Sequence, residues 1–285
     1  MADERLKEHH SIGIRAEGEH TFRLIKLSES NDSSFGISSL EAIEGGLSPA
    51  PARKLKIEFV GNSITCGYGV EGDLTQTYTT ATENVSLAWP CLTAQRLGAD
   101  YSIVSKSGAG IISGYTADGV RNEDNILTVY YDKMGCSMMS IADGIRPQDF
   151  EYDFAFEPDI IVVNAGTNDI SYCHPVDGQG CVRISEEEEA SRRSIFYVEY
   201  KSFIEWIREL NPFAKIVCTL GVLGTALNSE VETAVQELRA AGDSRVYWLP
   251  LADQDPADSY GTDYHPSRIT QQKLADTVSA YLETL

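Results

Sequence analysis

The chain has 285 residues, of which 42% are hydrophobic and 9% aromatic, and its formal net charge at pH 7 is -20. This length exceeds the roughly 100–200 residues of an ordinary single domain and leaves room for a sizeable core. The 43 acidic residues outnumber the 23 basic ones, which argues against the clustered Lys and Arg that nucleic acids and anionic membranes require. We therefore expect no nucleic-acid partner and no membrane partner, and the composition leaves the oligomeric state open.

The N-terminus, "MADERLKEHH", is charged where a signal peptide needs an apolar stretch, and no run of about 20 apolar residues follows. The chain as given therefore predicts a cytoplasmic protein. Secretion stays open if the N-terminus has been truncated.

The first fifty residues differ in pattern from the rest. The stretches 11–15, 20–27 and 35–40 have strand character, and residues 44–54, "EGGLSPAPARK", are rich in proline and glycine and suggest a linker. We predict a β-rich N-terminal segment over residues 1–50 and a catalytic domain over residues 51–285. Fifty such residues are too few for an independent sandwich, so they pack on the larger part or end a domain that begins elsewhere.

From residue 56 onward, apolar runs alternate with longer segments of helical spacing. The runs cover 56–61, 101–108, 159–166, 214–221 and 245–251; the helical segments cover 86–97, 188–210, 229–241 and the residues after His265. Nearly continuous apolar strands are typical of a parallel sheet covered on both faces. We predict an α/β fold, a three-layer α/β/α sandwich with a five-stranded parallel sheet of flavodoxin-like type. In helix 188–210 the expected buried face comprises Ile195, Val198, Phe203, Trp206, Ile207 and Leu210.

Residues of the types used in acyl-transfer sites lie at or after the ends of four of these five strands. Ser63 follows the first strand, Gly108 ends the second, Asn168 follows the third, and Asp263 and His265 follow the fifth. The carboxyl ends of parallel strands meet at one edge of the sheet, where ligands usually bind. The topology therefore predicts that these residues converge on one site.

Their chemistry fits acyl transfer. A serine hydroxyl needs a base within about 3 Å, and histidine is the side chain best suited to that task near neutral pH. The backbone N–H groups of Ser63 and Gly108 and the Asn168 amide can stabilise a tetrahedral oxyanion. Asp263 is the nearest acid that could hold the His265 ring. Alone, Ser63 would be a helix N-cap residue and Asn168 a turn residue, and only their conjunction favours catalysis.

Competing classes of protein fit less well. An α/β-hydrolase needs G-x-S-x-G, which "GNSIT" lacks, and "GAGIISG" has Ser113 where a dinucleotide-binding loop needs its third glycine. A P-loop is excluded because no Lys-Ser/Thr pair follows that run. A carbohydrate-binding module with poor turnover stays open, as does a lipase-like or thioesterase-like enzyme. Tyr68, Tyr115 and Trp248 are candidate sugar-binding surfaces, although Trp248, like Trp89, is more simply a core residue.

The six cysteines include no C-x-x-C pair, so we predict no metal site and no cofactor. Cys173 and Cys181 bracket a turn-rich loop, and they either form a disulfide or remain free thiols. The histidines His9, His10, His20 and His174 lack a catalytic context and are expected at the surface.

Four ordered blocks resemble the SGNH hydrolases: "FVGNSIT", "SG" at 107–108, "GTND" at 166–169 and "HP" at 265–266. Within that superfamily, "IEFVGNSITCGYG", "TTATENVSLAWPCLTAQRLGADYSIVSKSGAGI" and "DYHPS" resemble carbohydrate esterase family 2. The resemblance implies Ser63 as nucleophile, Gly108 and Asn168 in the oxyanion hole and His265 as base. It implies that the partner is an acetylated carbohydrate, such as a fragment of acetylated xylan or mannan.

Two positions depart from the superfamily pattern. Thr262 stands where Asp is common, so the acid is Asp263, and some family members rely on backbone carbonyls instead of an acid. Asn62 stands where Asp is usual; it can accept hydrogen bonds that shape the turn, and we include it with the candidate substrate-binding residues. The resemblance also implies an N-terminal β-sandwich larger than the fifty residues present.

Overall fold

The structure is a computed structural model that describes residues 18–33, 37, 39–42, 45–137, 144–175 and 183–285. In these residues five parallel strands form one sheet in the order β2-β1-β3-β4-β5. The strands are Lys56–Gly61 (β1), Asp100–Ser105 (β2), Ile160–Asn164 (β3), Lys215–Val222 (β4) and Val246–Asp253 (β5). The α-helices are Ser63–Cys66 (α1), Trp89–Arg96 (α2), Thr167–Cys173 (α3), Glu186–Leu210 (α4), Asn228–Ala240 (α5) and Arg268–Leu282 (α6). Short 3-10 helices cover Val85–Leu87, Leu127–Val129, Pro147–Asp149, Pro256–Asp258 and Thr262–Tyr264.

The predicted three-layer α/β/α fold is confirmed. One face of the sheet packs on α4 and α5, and the other packs on α2 and α6. Successive residues of β3 point to opposite faces of the sheet. Ile161 and Val163 pack in the core next to α4 and α5, and Ile160 and Val162 pack in the core next to α2 and α6. Because both faces are covered, β3 is apolar at almost every position, which is the pattern that the sequence shows.

The register of the sheet brings the predicted site residues to one edge. Gly61, the last residue of β1, pairs with Ser105, the last of β2, and with Asn164, the last of β3. The segments that follow these three strands therefore begin side by side at the carboxyl edge. β2 ends three residues earlier than predicted, at Ser105, so Ser107 and Gly108 lie in the turn beyond the strand.

The buried face of α4 differs from the predicted one. Ile195 and Val198 are 44% and 50% exposed. The residues that do face the core lie at spacings of three and four along the helix, as one face of an α-helix requires. They are Phe196, Tyr200, Phe203, Ile204 and Ile207. The prediction is confirmed for Phe203 and Ile207 and wrong for Ile195 and Val198, in whose place the core buries Phe196 and Tyr200 completely.

The N-terminal segment also differs from the prediction. Within the described residues 18–33, the stretch 20–27 forms no strand, because no other strand in the described ranges lies beside it to complete a hydrogen-bonded ladder. Residues 11–15, and half of the stretch 35–40, lie outside the described residues. The Leu27 carbonyl accepts the Val85 N–H, and the Ser30 hydroxyl donates to the Cys136 carbonyl. Residues 27–30 therefore lie against the larger part of the chain.

Candidate active site

Ser63 and His265 meet at the carboxyl edge of the sheet. Ser63 is the first residue of α1, directly beyond β1, and His265 lies in the loop between β5 and α6. The distance between Ser63 Oγ and His265 Nε2 is 2.9 Å, which is within hydrogen-bond range. The serine side chain is 7% exposed and the histidine is half-buried. The pair is thus a hydroxyl with a base in direct reach, as nucleophilic catalysis requires.

The sharp turn after β1 places Ser63. Asn62 is the N-cap of α1, where its side-chain oxygen accepts the Ile64 N–H at 3.2 Å. A Cβ on Gly61 would collide with the Thr65 side chain, so only glycine allows the helix to start this close to the strand. Asn62 has no exposed surface. It therefore shapes the turn, and its role in substrate binding stays a prediction.

A backbone carbonyl, rather than a carboxylate, orients His265. His265 Nδ1 lies 3.2 Å from the main-chain oxygen of Asp263. The Asp263 carboxylate instead accepts the Tyr68 hydroxyl at 2.9 Å. Asp263 has a φ of 52°, and this left-handed conformation directs its carbonyl to the imidazole and its side chain away. The prediction that the Asp263 side chain holds the ring is therefore wrong, whereas the residue itself does hold it.

Burial also sets the proton affinity of this ring. Loss of solvent lowers the pKa of His265, and the nearby Asp263 and Thr262 backbone groups and the Asp263 charge offset this only in part. Burial disfavours the imidazolium because a charged ring loses more hydration than a neutral one. At neutral pH His265 is therefore held in the form that can accept a proton.

Tyr68 lies against His265, and a second tyrosine, Tyr78, lies against Tyr68. The ring centroid of Tyr68 is 4.2 Å from that of His265, and Tyr68 stacks on Tyr78 with centroids 3.8 Å apart and planes at 7°. Tyr68 therefore lies at the predicted site, where it contacts the loop that carries His265, and its role in substrate binding stays a prediction. Tyr78 was missed, because its polar surroundings, "TQTYTTATEN", carry no signal that it would stack on Tyr68.

The three predicted oxyanion donors lie in the segments that follow β1, β2 and β3, whose last residues are in register. Gly108 has a φ of 73°, a conformation that glycine adopts without strain. Asn168 Nδ2 donates to the Ala109 carbonyl at 2.8 Å, which ties α3 to the Gly108 turn and leaves the second amide hydrogen for a ligand. Among the described residues, the N–H groups of Ser63 and Gly108 have no hydrogen-bond acceptor. Three donors are therefore available.

Asp169 anchors the loop that carries Gly108. Its buried carboxylate accepts the backbone N–H groups of Ile111, Ile112 and Ser113 at distances between 2.7 and 3.0 Å. Burial raises the pKa of Asp169 to about 6, while the three N–H donors act in the opposite direction. The sequence placed Asp169 at a strand end but did not indicate this role, since the N–H groups lie more than fifty residues away along the chain.

The two other predicted substrate-binding residues lie in different environments. Tyr115 is 55% exposed, and its N–H donates to the Gly108 carbonyl at 2.9 Å, so it borders the site. It also lines a depression of about 460 Å³ formed by residues 115–124. Trp248 is half-buried in β5, at the far edge of the sheet, and packs on the core next to α4 and α5. The structure therefore does not bring Trp248 to the site.

One group in the described residues has metal-ligand composition: Glu29, Cys66 and Glu83, whose ligand atoms lie within 4.8 Å of one another. The Cys66 thiol donates to Ser105 Oγ, and burial raises its pKa well above the ordinary value. A protonated thiol is a poor ligand, so these residues do not fit a metal centre. The absence of a cofactor remains a prediction.

The structure describes some of the other cysteines and histidines whose state is predicted from the sequence. Cys181 lies outside the described residues, so its pairing with Cys173 stays a prediction, and so do His9 and His10. His174 is half-buried, and its Nδ1 lies 2.7 Å from the Glu189 carboxylate on α4. No helix in the described ranges combines the length and apolarity that a bilayer span would need.

With this geometry in place, the chain can be compared with known proteins. The sequence model of the GDSL-like lipase/acylhydrolase family matches residues 59–273, a range that holds Ser63, Gly108, Asn168 and His265. The chain belongs to this family. The resemblance to SGNH hydrolases that the four sequence blocks indicated is thereby confirmed.

The chain is also similar to proteins whose names describe them as esterases. The chain is 30% identical over 276 residues to the cellulase/esterase CelE of Acetivibrio thermocellus, and 26% identical over 277 residues to an acetylxylan esterase/glucomannan deacetylase of Cellvibrio japonicus. Each match covers 94% of this chain, but the chain spans 30% of CelE and 70% of the Cellvibrio protein.

Solved structures agree with this assignment. A family two carbohydrate esterase from Clostridium thermocellum, in complex with cellohexaose, superposes with a TM-score of 0.67 at 28% identity, over 84% of this chain and 66% of that chain. The acetyl xylan esterase Est2A from the rumen bacterium Butyrivibrio proteoclasticus gives a TM-score of 0.70 at 27% identity, over 83% and 66%. The predicted likeness to carbohydrate esterase family 2 is confirmed.

Proposed function

We propose that the protein is a serine esterase that removes acetyl groups from carbohydrates such as acetylated xylan or mannan fragments. One observation carries the proposal: the 2.9 Å contact between Ser63 Oγ and His265 Nε2, at an edge where unpaired N–H donors also meet. The family assignment supports an ester as the substrate. The esterase and deacetylase relatives support an acetylated carbohydrate.

In the proposed reaction, His265 Nε2 takes the Ser63 proton while Ser63 Oγ bonds to the ester carbonyl carbon. The carbonyl electron pair moves to oxygen, where the Ser63 and Gly108 N–H groups and the Asn168 amide stabilise the charge. When the tetrahedral intermediate collapses, the bond from carbon to the sugar oxygen breaks and His265 returns its proton to that oxygen. Water then attacks the acetyl-enzyme by the same route and releases acetate.

The proposed base acts without a conventional acid partner. The Asp263 carbonyl accepts the Nδ1 proton, which fixes the tautomer so that Nε2 is free to face Ser63. The Asp263 carboxylate is turned away, so its charge contributes only at a distance when the imidazolium forms. We therefore expect a Ser–His dyad that is oriented by a main-chain oxygen.

The rim of the site supports a polar substrate. The depression formed by residues 115–124 is lined by Thr116, Asp118, Arg121, Asn122 and Glu123 as well as Tyr115. Hydroxyl-rich sugars can exchange hydrogen bonds with such groups, while an exposed tyrosine ring offers a face on which a sugar can stack. A long acyl chain would instead need an extended apolar groove. The net charge of -20 also favours a neutral substrate over a polyanion.

A cytoplasmic location stays the expectation for the chain as given.

The decisive experiment measures acetate release from acetylated xylo- and manno-oligosaccharides, together with hydrolysis of 4-nitrophenyl acetate, butyrate and octanoate. The wild type, Ser63→Ala and the control Ser244→Ala, an exposed serine in the turn before β5, are compared. We expect acetate-selective turnover in the wild type and the control, and none in Ser63→Ala. Preference for octanoate would point to a lipase-like enzyme. Sugar binding without turnover would point to a binding module.

A further inference from the structure

Two buried glutamates outside the proposed catalytic set lie behind the site. Glu29, in the N-terminal segment, and Glu83, in the loop before α2, are 9% and 2% exposed. Glu83 Oε2 accepts the Glu29 N–H at 3.1 Å. In each side chain the second oxygen, Oε1, is buried and has no hydrogen-bond partner among the described residues. Burying carboxylates in this way costs free energy, so a purely architectural role does not account for them.

Glu29 reaches the turn that carries Gly108. Its Oε2 accepts the Ser107 N–H at 2.9 Å, and Asn125 Nδ2 donates to the Ser107 carbonyl at 3.0 Å. The residue before Gly108 is therefore held at both of its main-chain polar groups. The Ser107 carbonyl lies in the same peptide plane as the Gly108 N–H, so the Asn125 contact fixes the direction of that donor. The Glu29 contact holds the preceding peptide plane and so sets where the Ser107–Gly108 peptide begins.

Glu83 connects the same cluster to the base. The Tyr78 hydroxyl lies 2.9 Å from Glu83 Oε2 and 2.7 Å from Asp32 Oδ2. Tyr78 in turn stacks on Tyr68, which lies against His265. Hydrogen bonds and ring contacts thus run from the glutamate pair to both halves of the site.

From this geometry we propose that Glu29, held in place by Glu83, is a positioning residue that aligns the Gly108 N–H with the developing oxyanion. The proposal rests on the esterase function proposed above. Glu29 does not touch the substrate; it acts through Ser107. Because oxyanion alignment matters in the transition state more than in substrate binding, its loss should lower kcat and leave KM nearly unchanged.

The electrostatic surroundings are consistent with a carboxyl pair that carries less than two full charges. Burial raises the pKa of Glu29, and burial together with the Glu29 charge raises the pKa of Glu83 to about 7. Lys26 and Lys106 face the pair with positive charge, while Asp32 adds negative charge and Cys66 contributes a thiol. A glutamine at position 29 can keep the hydrogen bond to Ser107 without a charge, which makes it the conservative variant.

The test compares Glu29→Ala, Glu29→Asp and Glu29→Gln on 4-nitrophenyl acetate, with active sites counted by a serine-reactive phosphonate. Glu58→Ala is the matched control, since Glu58 is a glutamate that is 1% exposed and bonded to the Tyr131 hydroxyl, on β1. We expect Glu29→Ala to lower kcat per titrated site by about 10²-fold, as a misplacement of about 1 Å does, with KM within twofold. Glu29→Gln should recover most of the loss, and Glu58→Ala should leave kcat per site within threefold.

Equal kcat values per site for Glu29→Ala and Glu58→Ala would overturn the proposal. If Glu29→Ala does not fold, Glu29→Asp decides, because it shortens the side chain by one methylene; an unchanged kcat in that variant would also overturn it. Hydrogen exchange of the Ser107 amide gives a readout that needs no activity. If the wild type cleaves no ester, the proposed function and the role of Glu29 in it are both refuted. A loss of Ser107 amide protection in Glu29→Ala would then still show that Glu29 bonds to Ser107 in the wild type.

Discussion

The two edges of the sheet differ in cavity size and in reactive groups, and the edge with the larger cavity is not the edge with the reactive groups. At the amino edge lies a depression of about 900 Å³, lined by residues such as Phe154, Phe213 and Arg245. The depression lined by residues between Tyr115 and Asp124, where Tyr115 is bonded to the Gly108 carbonyl, is about half as large, yet the carboxyl edge holds the Ser63–His265 contact. At the carboxyl edge, the N–H groups of Ser63 and Gly108 have no acceptor among the described residues. In this fold the reactive groups therefore follow the strand ends, and the larger cavity does not mark the site.

The largest expected effect comes from removing the reacting pair. Ser63→Ala and His265→Ala should each lower kcat by at least about 10⁴-fold, because nucleophile and base act as one unit. Turnover of 4-nitrophenyl acetate and circular dichroism of each variant test this. The matched change at the amino edge is Phe213→Ala, which removes a side chain that is 82% exposed and should leave kcat unchanged. A large loss in Phe213→Ala would break the contrast between the two edges.

The next effect concerns the oxyanion donors of the carboxyl edge. Asn168→Ala removes an amide that donates to Ala109 and has one hydrogen left, so kcat should fall by about 10²–10³-fold. KM for a short ester should change little. Steady-state kinetics on 4-nitrophenyl acetate measure both. A fall in kcat of less than about threefold would remove Asn168 from the oxyanion hole.

A smaller effect is expected at Asp263. In a triad whose aspartate carboxylate orients the histidine, substitution of that aspartate by asparagine lowers kcat by about 10⁴-fold. Here the orienting atom is the main-chain oxygen, so Asp263→Asn should lower kcat by less than about tenfold. Tyr68→Phe, which removes the hydroxyl bonded to Asp263, is the companion variant and should fall in the same range. Losses comparable to that of His265→Ala would restore the carboxylate as a triad member.

The smallest effect is a shift of the pH profile. The base works only when neutral, and burial lowers the pKa of His265 below the ordinary value of about 6.5 for an imidazole. The acid limb of kcat/KM should therefore have its midpoint below pH 6.5, so that activity persists into mildly acidic solution. In Asp263→Asn the midpoint should move lower still, because a negative charge that favours the imidazolium is gone. A midpoint at or above pH 6.5 in the wild type would contradict the buried base.

Sequence reasoning succeeded where the signal was local. All five strands lie near their predicted positions, because runs such as 159–166 are apolar at almost every residue and end in glycine. Ser63 and His265 were found because parallel strands bring their ends together by topology.

It failed where the answer depended on contacts between distant segments. The Tyr68 hydroxyl and the Asp263 carboxylate are 195 residues apart, and nothing near either residue indicates that they bond to each other instead of to His265. The same holds for Glu29 and Ser107, which are 78 residues apart. Trp248 was left between a core position and a sugar-binding one for a related reason: an aromatic residue on a strand looks the same in sequence whether it faces a core or a ligand.

The acceptor that orients His265 is a main-chain atom, and every amino acid carries one. A scan of single substitutions cannot delete it, and relatives can lose the acid at this position while keeping the interaction. What has to be inherited is the left-handed turn at Asp263, which several residue types can adopt. Replacing the Asp263–Tyr264 amide with an ester would weaken that carbonyl as an acceptor without altering a side chain. It would therefore measure how much the carbonyl contributes to orienting His265, which no amino-acid substitution can do.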